Sequence, residues 1–383
     1  GNLIYHLSKE NGLNSNVINH TFEDNQGNLW LSTENGISLA MYSLPTYMFS
    51  KYGNISGNVV SATTFHNTVY VASSTGIYVF NVEKNQFEKI DFPTIQVWYL
   101  TVIDNGNTLL ACTAKGIYEI TKYGSKLLCS EYENVFTVYK SKIRPNFYYA
   151  SHIKGVFAFT YENGKFTLAG EISNLNSAIL LIFEDKKGNL LLSSQSDGIF
   201  YAETSKVNFN NEHTNVNLVH FTEESGLPDL KLNYITEVND ELLVVTVIGL
   251  YKLDKNVDIS NLSLTEISKI KFVKYPELNP FSMYGDGQIH KPVKQDKEGN
   301  LYITSTLKSG SQAVATYIKN KKKCIFQPYA IISKDKINDI YPDENHIWYG
   351  GTDAVYCFNK TIKYNYNNVY HSIINTVISN NDT

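Results

Sequence analysis

Two pairs of adjacent carboxylates, Glu23-Asp24 and Glu184-Asp185, are where acid–base chemistry would first be sought in this chain. Such chemistry needs two carboxyls converging on one bond. Each pair ends a strand pattern, Val17 to Glu23 in the first case, and is followed within four residues by Gly-Asn, which reads as a strand running into a hairpin. Neighbours in a strand point to opposite faces, so the two carboxyls of each pair diverge. The Asp is better suited to accepting backbone N–H groups in the turn. A calcium loop would need further oxygen ligands at close spacing, and Lys186-Lys187 and Lys297-Glu298 do not supply them. No Gly-x-Ser-x-Gly elbow, His-Glu-x-x-His pair or phosphate loop occurs. Cys112, Cys129, Cys324 and Cys357 form no Cys-x-x-Cys and no Cys/His cluster, so neither a zinc site nor another metal or cofactor is expected. Cys112 and Cys357 fall inside strand patterns and read as buried apolar residues.

The turn motif itself repeats. Asp24 to Ile37 (DNQGNLWLSTENGI) returns as Asp185 to Leu190 before Asp197-Gly198-Ile199, and as Asp296 to Leu301 before Ser305. Weaker copies place glycines at 76, 116, 155 and 249, with Gly310 as a further marker and Ala354 standing in for the last. A period of roughly 40 residues with several short strands per unit indicates a propeller. Eight units start near residues 16, 58, 96, 134, 177, 232, 288 and 336. The expectation is therefore an all-β chain, a single β-propeller over residues 1–360, with eight blades favoured over seven. Leu3 to Leu7 precedes the first unit and is expected to close the ring by completing the last blade, which removes the open edges. Val207 to Asp229 and Asn256 to Pro280 read as insertions. A polar fourth strand, as in Phe87 to Ile90 or Lys165 to Ala169, is expected at the outer edge of each blade. Trp30 and Trp348 sit at equivalent second-strand positions and are expected in the core.

Binding residues follow from that architecture. Loops between the second and third strands open on the face where the channel begins, and they carry Glu34, Lys115, His152, Lys154, Gln195 and Asp197. Trp98 and Tyr99 start a first strand. A flat aromatic beside planar polar groups in a concavity is how sugars are commonly held. Trp98, Tyr99, Lys115, His152, Lys154, Gln195 and Asp197 are therefore the candidate ligand residues, with Trp98, His152 and Gln195 at their centre. Asn16, Asn58, Gln96, Asn134, Ser177, Asn233, Gln288 and Asp335 each stand at the start of a first strand. They form either a polar ring at the channel mouth or, as Asn and Ser do routinely, a set of loop caps; the caps are favoured.

Charge excludes some classes. The formal net charge is −4 with no basic stripe, which argues against nucleic acid as a partner of this segment. The basic run Lys319 to Lys323 reads as a solvated hairpin tip. No stretch of about 18 apolar residues is present, so no membrane insertion by this segment is expected. A start at Gly1 inside a strand pattern suggests a piece of a longer protein.

Gly12-Leu13, Asn16-Val17, Glu23-Asp24, Gly27-Asn28-Leu29-Trp30 and Thr33 through Gly36 resemble the repeat of the periplasmic sensor regions of hybrid two-component systems and related membrane-anchored regulators. Gly226-Leu227-Pro228 repeats the signature before a later unit. The tail, Tyr364 to Thr383, is similar to the start of the tyrosine-rich immunoglobulin-like domain that follows the propeller in that family, so residues 361–383 are expected to lead into a downstream β-sandwich. The resemblance implies a periplasmic, non-enzymatic sensor within an inner-membrane protein, responding to oligosaccharides released from glycans. A homodimer through domains outside this segment is a further expectation. Two other readings stand beside it: a propeller-fold polysaccharide lyase or glycosidase, which needs convergent ionisable groups over the channel, and a structural dimerisation scaffold.

Overall fold

The computed structural model describes residues 6–9, 12–25, 27–41, 44–210, 212–238, 241–254, 258–275, 293–306, 312–321, 323–326 and 335–362. Gln288, Gly310, Leu3 to Tyr5 and the tail beyond residue 362 lie outside them. The described chain is almost entirely antiparallel β-sheet, as the repeat implies, with one short helix at Leu264–Ile267.

The Asp of each turn motif explains why these residues fold as hairpins. Asp185 accepts hydrogen bonds from the Lys187 and Asn189 amides (2.8 and 2.9 Å), from Asn189 Nδ2 (3.2 Å) and from the Tyr201 hydroxyl (2.9 Å). Asp296 likewise takes the Asn300 amide, Asn300 Nδ2 and the Tyr302 hydroxyl. In Asp24 and Asp343 the last donor is a tryptophan Nε1, from Trp30 and Trp348. The motif is thus a carboxylate clamp that fixes the turn backbone and one aromatic ring of the same blade. This is the turn role read for Asp24 and Asp185 from sequence. Glu184 is equally committed, accepting from Ser141 Oγ and the Lys142 amide on the neighbouring sheet.

Eight sheets form. The first unit makes a sheet of three strands, β1 (Ile18–Glu23), β2 (Leu29–Thr33) and β3 (Gly36–Ala40). β4 (Thr46–Phe49) leaves that unit and pairs antiparallel with Val355–Asn359 at the far end of the chain. Seven sheets follow in order, and their first strands begin at Val59, Val97, Thr137, Ile179, Tyr234, Lys294 and Asp339. We number these blades one to seven. Each adjacent pair shares an apolar core, and the cycle closes where Val59, Val71 and Phe87 of blade one meet Trp348, Val355 and Cys357 of blade seven. The Val59 amide donates to the Gly351 carbonyl (2.9 Å) and the Ala62 amide to the Asp339 carboxylate (2.9 Å) across the same seam.

Of the two counts weighed from sequence, the sheets in this cycle number seven, and the first unit stands apart from it. The closing strand does come from the N-terminal side, but it is β4; His6 and Leu7 have no regular structure. Trp30 is correspondingly 39% exposed, whereas Trp348 is 4% exposed; the core expectation holds for the second and fails for the first, whose sheet has no neighbour on that face.

Middle strands such as Thr108–Thr113 and Phe147–His152 are buried at every position, because both faces of a blade are covered. Outer strands such as Gly124–Cys129 and Lys165–Ile172 keep polar, exposed edges. The expected insertions are used structurally: Glu212–Thr214 adds a fifth, parallel strand to blade three, and Leu218–Phe221 and Phe272–Lys274 are the outer strands of blades four and five. Cys112 and Cys357 are buried as expected, and all four cysteines are free.

Candidate functional site

One slot recurs three residues before the hairpin glycines Gly36, Gly76, Gly116 and Gly249, while Gln195 stands there before Gly198. Thr33, Thr113 and Thr246 fill it with a hydroxyl that donates to the carbonyls of Gly36, Gly116 and Gly249, each at 2.8 Å. Ser73 fills it in blade one and donates to the Ser56 carbonyl (2.9 Å). The three threonine hydroxyls each satisfy a turn carbonyl. Blade three departs from this pattern, because the slot holds His152, which pairs across the hairpin with Gly155.

His152 is buried, 7% exposed, and its ring packs edge-on to Tyr132 (centroids 5.0 Å, 70°) and to Phe157 (5.8 Å, 69°). Tyr132 in turn stacks flat on Phe157 at 4.0 Å. Tyr132 and His152, backed by the buried Phe157, line a cavity of about 790 Å³ whose rim carries Glu131, Glu133, Asn134, Lys154 and Glu171. The Tyr132 hydroxyl bonds Glu171, and burial together with that carboxylate pushes its pKa up, so it stays a donor. Glu171 also holds His213 Nδ1. Burial pushes the His152 pKa down to about 4; Glu171 opposes this and Lys154 adds to it. The imidazole is therefore neutral near pH 7, offering one donor and one acceptor.

A pH dependence follows. Between about 4 in the folded chain and the ordinary 6.5 of an exposed histidine, the unfolded chain binds a proton at His152 that the folded chain does not. The stability tied to a neutral His152 is present above that window and is lost as pH falls through it. Thermal melts at pH 7 and pH 4.5 should differ less for His152→Thr, which restores the slot's usual hydroxyl, than for the parent. An identical pH response in both would contradict the assignment.

The structure gathers some of the sequence-predicted residues here. His152, Lys154 and Asn134 line the cavity, and Lys115 reaches its rim through an ion pair with Glu133 (2.6 Å). Trp98, Tyr99, Gln195 and Asp197 are not among its lining residues. Trp98 is the bulged residue of its strand and packs edge-on against Phe136 (5.7 Å). Gln195 donates its amide to the Ala178 carbonyl, and Asp197 accepts from Ser177 Oγ (2.7 Å). Tyr132 and Glu171 were not picked out from sequence. They sit at the ends of outer strands, where only the meeting of two blades makes them neighbours.

Several of the first-strand polar residues hydrogen-bond within the loops that enter the blades. Backbone carbonyls of Asn58 and Gln96 receive the Ser74 and Ala114 amides, Asn233 Nδ2 donates to the Asp229 carbonyl, and Asp335 accepts from the Thr352 amide and Tyr356. Asn58 also bonds Asn338 across the seam. Asn16 belongs to the first sheet, where it receives the Lys9 amide, so it contributes nothing to the ring's mouth.

A second polar cluster, unforeseen from sequence, sits inside the ring. Lys294 Nζ on blade six lies 3.4 Å from Asp339 on blade seven and 5.7 Å from the Tyr99 ring centre on blade two. Burial alone would lower the Lys294 pKa, but Asp339 and Tyr99 outweigh it and hold it above the ordinary lysine value. A lysine kept protonated and paired is neither a base nor a nucleophile. Asp339 is also engaged by the Ala62 amide, so the pair ties three blades together. Among the described residues no group of three or more His, Cys, Asp or Glu is arranged to hold a metal ion, and no helix is long and apolar enough to cross a membrane.

Residues 12–35 match the sequence model of the two component regulator propeller. No curated protein matches the sequence. Among solved structures, the fold is similar to the extracellular domain of a protein described as a hybrid two component system from B. thetaiotaomicron. That likeness has 14% identity and a TM-score of 0.61, over 90% of this chain and 47% of that one, so the chain spans under half of that domain's length. It is also similar to virginiamycin B lyase from Staphylococcus aureus, with 16% identity and a TM-score of 0.54, over 82% of this chain and 98% of that one. At these identities the likeness is one of fold. The chain is thus a β-propeller that carries, at residues 12–35, the repeat of two component regulator propellers.

Proposed function

We propose that this propeller is an extracytoplasmic sensor module of a membrane-anchored two-component-type regulator, and that it binds a neutral glycan-derived oligosaccharide in the His152 cavity. The observation that supports the reading is His152 in a slot that three other hairpins give to a turn-closing threonine hydroxyl. The repeat supplies the structural solution, so the departure calls for another reason. The cavity combines an aromatic wall with carboxylate, amide and imidazole groups, the chemistry that matches ring hydroxyls and apolar sugar faces. Three glutamates against Lys154 disfavour acidic sugars. The match of residues 12–35 to the regulator repeat supports the sensor class.

Titration calorimetry with a panel of neutral oligosaccharides tests this. His152→Thr is expected to weaken binding about tenfold, the scale of one or two lost hydrogen bonds, while the melt at neutral pH stays intact. Tyr132→Ala should cost about 1–3 kcal/mol of affinity, the scale of one large buried side chain. Trp98→Ala should leave affinity unchanged; a loss equal to that of His152→Thr would move the site to the channel mouth. No turnover of glycans is expected. Reproducible product formation from any glycan would replace the sensor with a lyase or glycosidase reading.

A further inference from the structure

In blades one, two and three a short hairpin joins the third strand to the fourth, from Asn81 to Gln86, Thr121 to Gly124 and Glu162 to Lys165. In blade four the chain instead leaves its own blade between Ile199–Ala202 and Leu218–Phe221. The excursion crosses to blade three, where Glu212–Thr214 lies parallel to Gly170–Ile172 of the outer strand. It is pinned on the way out by Arg144, whose Nη2 donates to the Thr204 and Val207 carbonyls, both at 2.9 Å. On the way back Asn174 holds Val216 twice, donating through Nδ2 to its carbonyl (2.8 Å) and accepting its amide at Oδ1 (3.0 Å). Val216 is buried in the core that also holds Ile172 and Leu175.

The strip of blade three that the excursion grips is also a wall of the His152 cavity, to which Glu171, Ile172, Ser173, Leu175 and Asn176 contribute. Glu171 is common to both sides. It takes the Tyr132 hydroxyl from the cavity side and His213 Nδ1 from the excursion. An ionised carboxylate only accepts, so His213 presents Nδ1–H to it. A carboxylate has about four acceptor positions; two are taken here, and two are left for donors of a ligand. A pair of hydroxyls on adjacent carbons matches that remainder. The His213 side chain is 79% exposed and does not line the cavity, so whatever it does for a ligand it does through Glu171.

We propose that His213 is a positioning residue of this cavity. Acting through Glu171, it fixes the carboxylate that a ligand with adjacent hydroxyls meets, and it links filling of the cavity to docking of the excursion. The inference rests on the cavity being the binding site proposed above. Linkage of this kind needs an element that is weakly held. A parallel strand of three residues is such an element, because parallel pairing is slightly less stable per residue than antiparallel pairing. Beside the strand, the Ser173 amide bonds the Thr214 carbonyl (2.9 Å), which gives the junction an amide that reports on docking. The effect is reciprocal: the factor by which His213 favours the ligand is the factor by which the ligand favours the docked excursion.

NMR of the Tyr132 and His152 rings in residues 1–383 decides the positioning role without a ligand. In His213→Ala both sets of ring resonances should move. In His213→Asn, whose Nδ2 stands where the histidine Nδ1 stood, they should return toward the parent. A role confined to holding the excursion would speed exchange of the Ser173 and Val216 amides and leave both rings unmoved, and that result would overturn the proposal. Calorimetry with maltotriose, cellotriose and xylotriose adds the ligand. Any of them that binds should bind at least ~5-fold more weakly to His213→Ala, recover in His213→Asn, and slow exchange at Ser173 and Val216 in the parent. Equal affinity for parent and His213→Ala would also overturn it. If no oligosaccharide binds, that counts against the oligosaccharide reading alone, and the ring resonances still decide the role of His213.

Discussion

Gly116→Ala is expected to destabilise the propeller by about 3–5 kcal/mol, the sum of backbone strain and overpacking. Gly116 has φ +112°, and a Cβ added there would lie 1.9 Å from the Cys129 carbonyl oxygen, which belongs to the outer strand of the same blade. That oxygen is backbone and cannot turn aside. Gly36 holds the same hairpin place with the same φ of +112°, yet its nearest neighbour would be Asn14 Nδ2 at 3.6 Å. Gly36→Ala should therefore cost only strain, about 1–2 kcal/mol, confined to the first sheet. Urea unfolding of the two variants separates the cases. Equal midpoint shifts would mean that the close approach at Gly116 is relieved by movement of the outer strand.

Asp185→Ala is expected to cost about 3–4 kcal/mol, because hydrogen bonds to a charged group are each worth about 1.5–3 kcal/mol and this carboxylate accepts several. The residue is 3% exposed, so water does not replace the lost acceptor for the Asn189 amide or the Tyr201 hydroxyl. Asp185→Asn keeps one acceptor oxygen and should fall between parent and alanine. The readout is the chemical-denaturation midpoint together with the exchange rate of the Lys187 and Asn189 amides. If Asp185→Ala unfolds at the parent's midpoint, the clamp is a passenger of the turn and not its cause.

The blade was legible in the sequence and the ring was not, for a physical reason. A hairpin clamp, a left-handed glycine and an alternating apolar strand are local, and Asp24, Gly27 and Gly36 announce them within fifteen residues of one another. Whether a blade joins a given ring depends on which edge captures β4, a pairing between Thr46 and Phe358 that no local pattern records. The fullest copy of the motif thus lies in the sheet that stands apart. The candidate site divides the same way. His152 was reachable because it ends a second strand, next to the hairpin that the repeat marks with Gly155. Tyr132 faces it only because the chain leaving blade two packs on blade three, and Lys294 meets Asp339 only where blades six and seven come together.

The closure by β4 also sets how the molecule would bear a pull. Thr46 opens β4 and pairs with Phe358, next to Asn359, whose amide holds the Pro45 carbonyl. The chain therefore arrives at and departs from the ring at adjoining ends of two antiparallel strands. Tension applied through the flanking segments falls on this one seam and parts its hydrogen bonds in succession, from Thr46 toward Phe49, as a zipper opens. Shear, which would load them all together, does not arise in this geometry. The six other blades carry no share of that load until the seam has opened, so blade seven is the mechanical fuse of the ring.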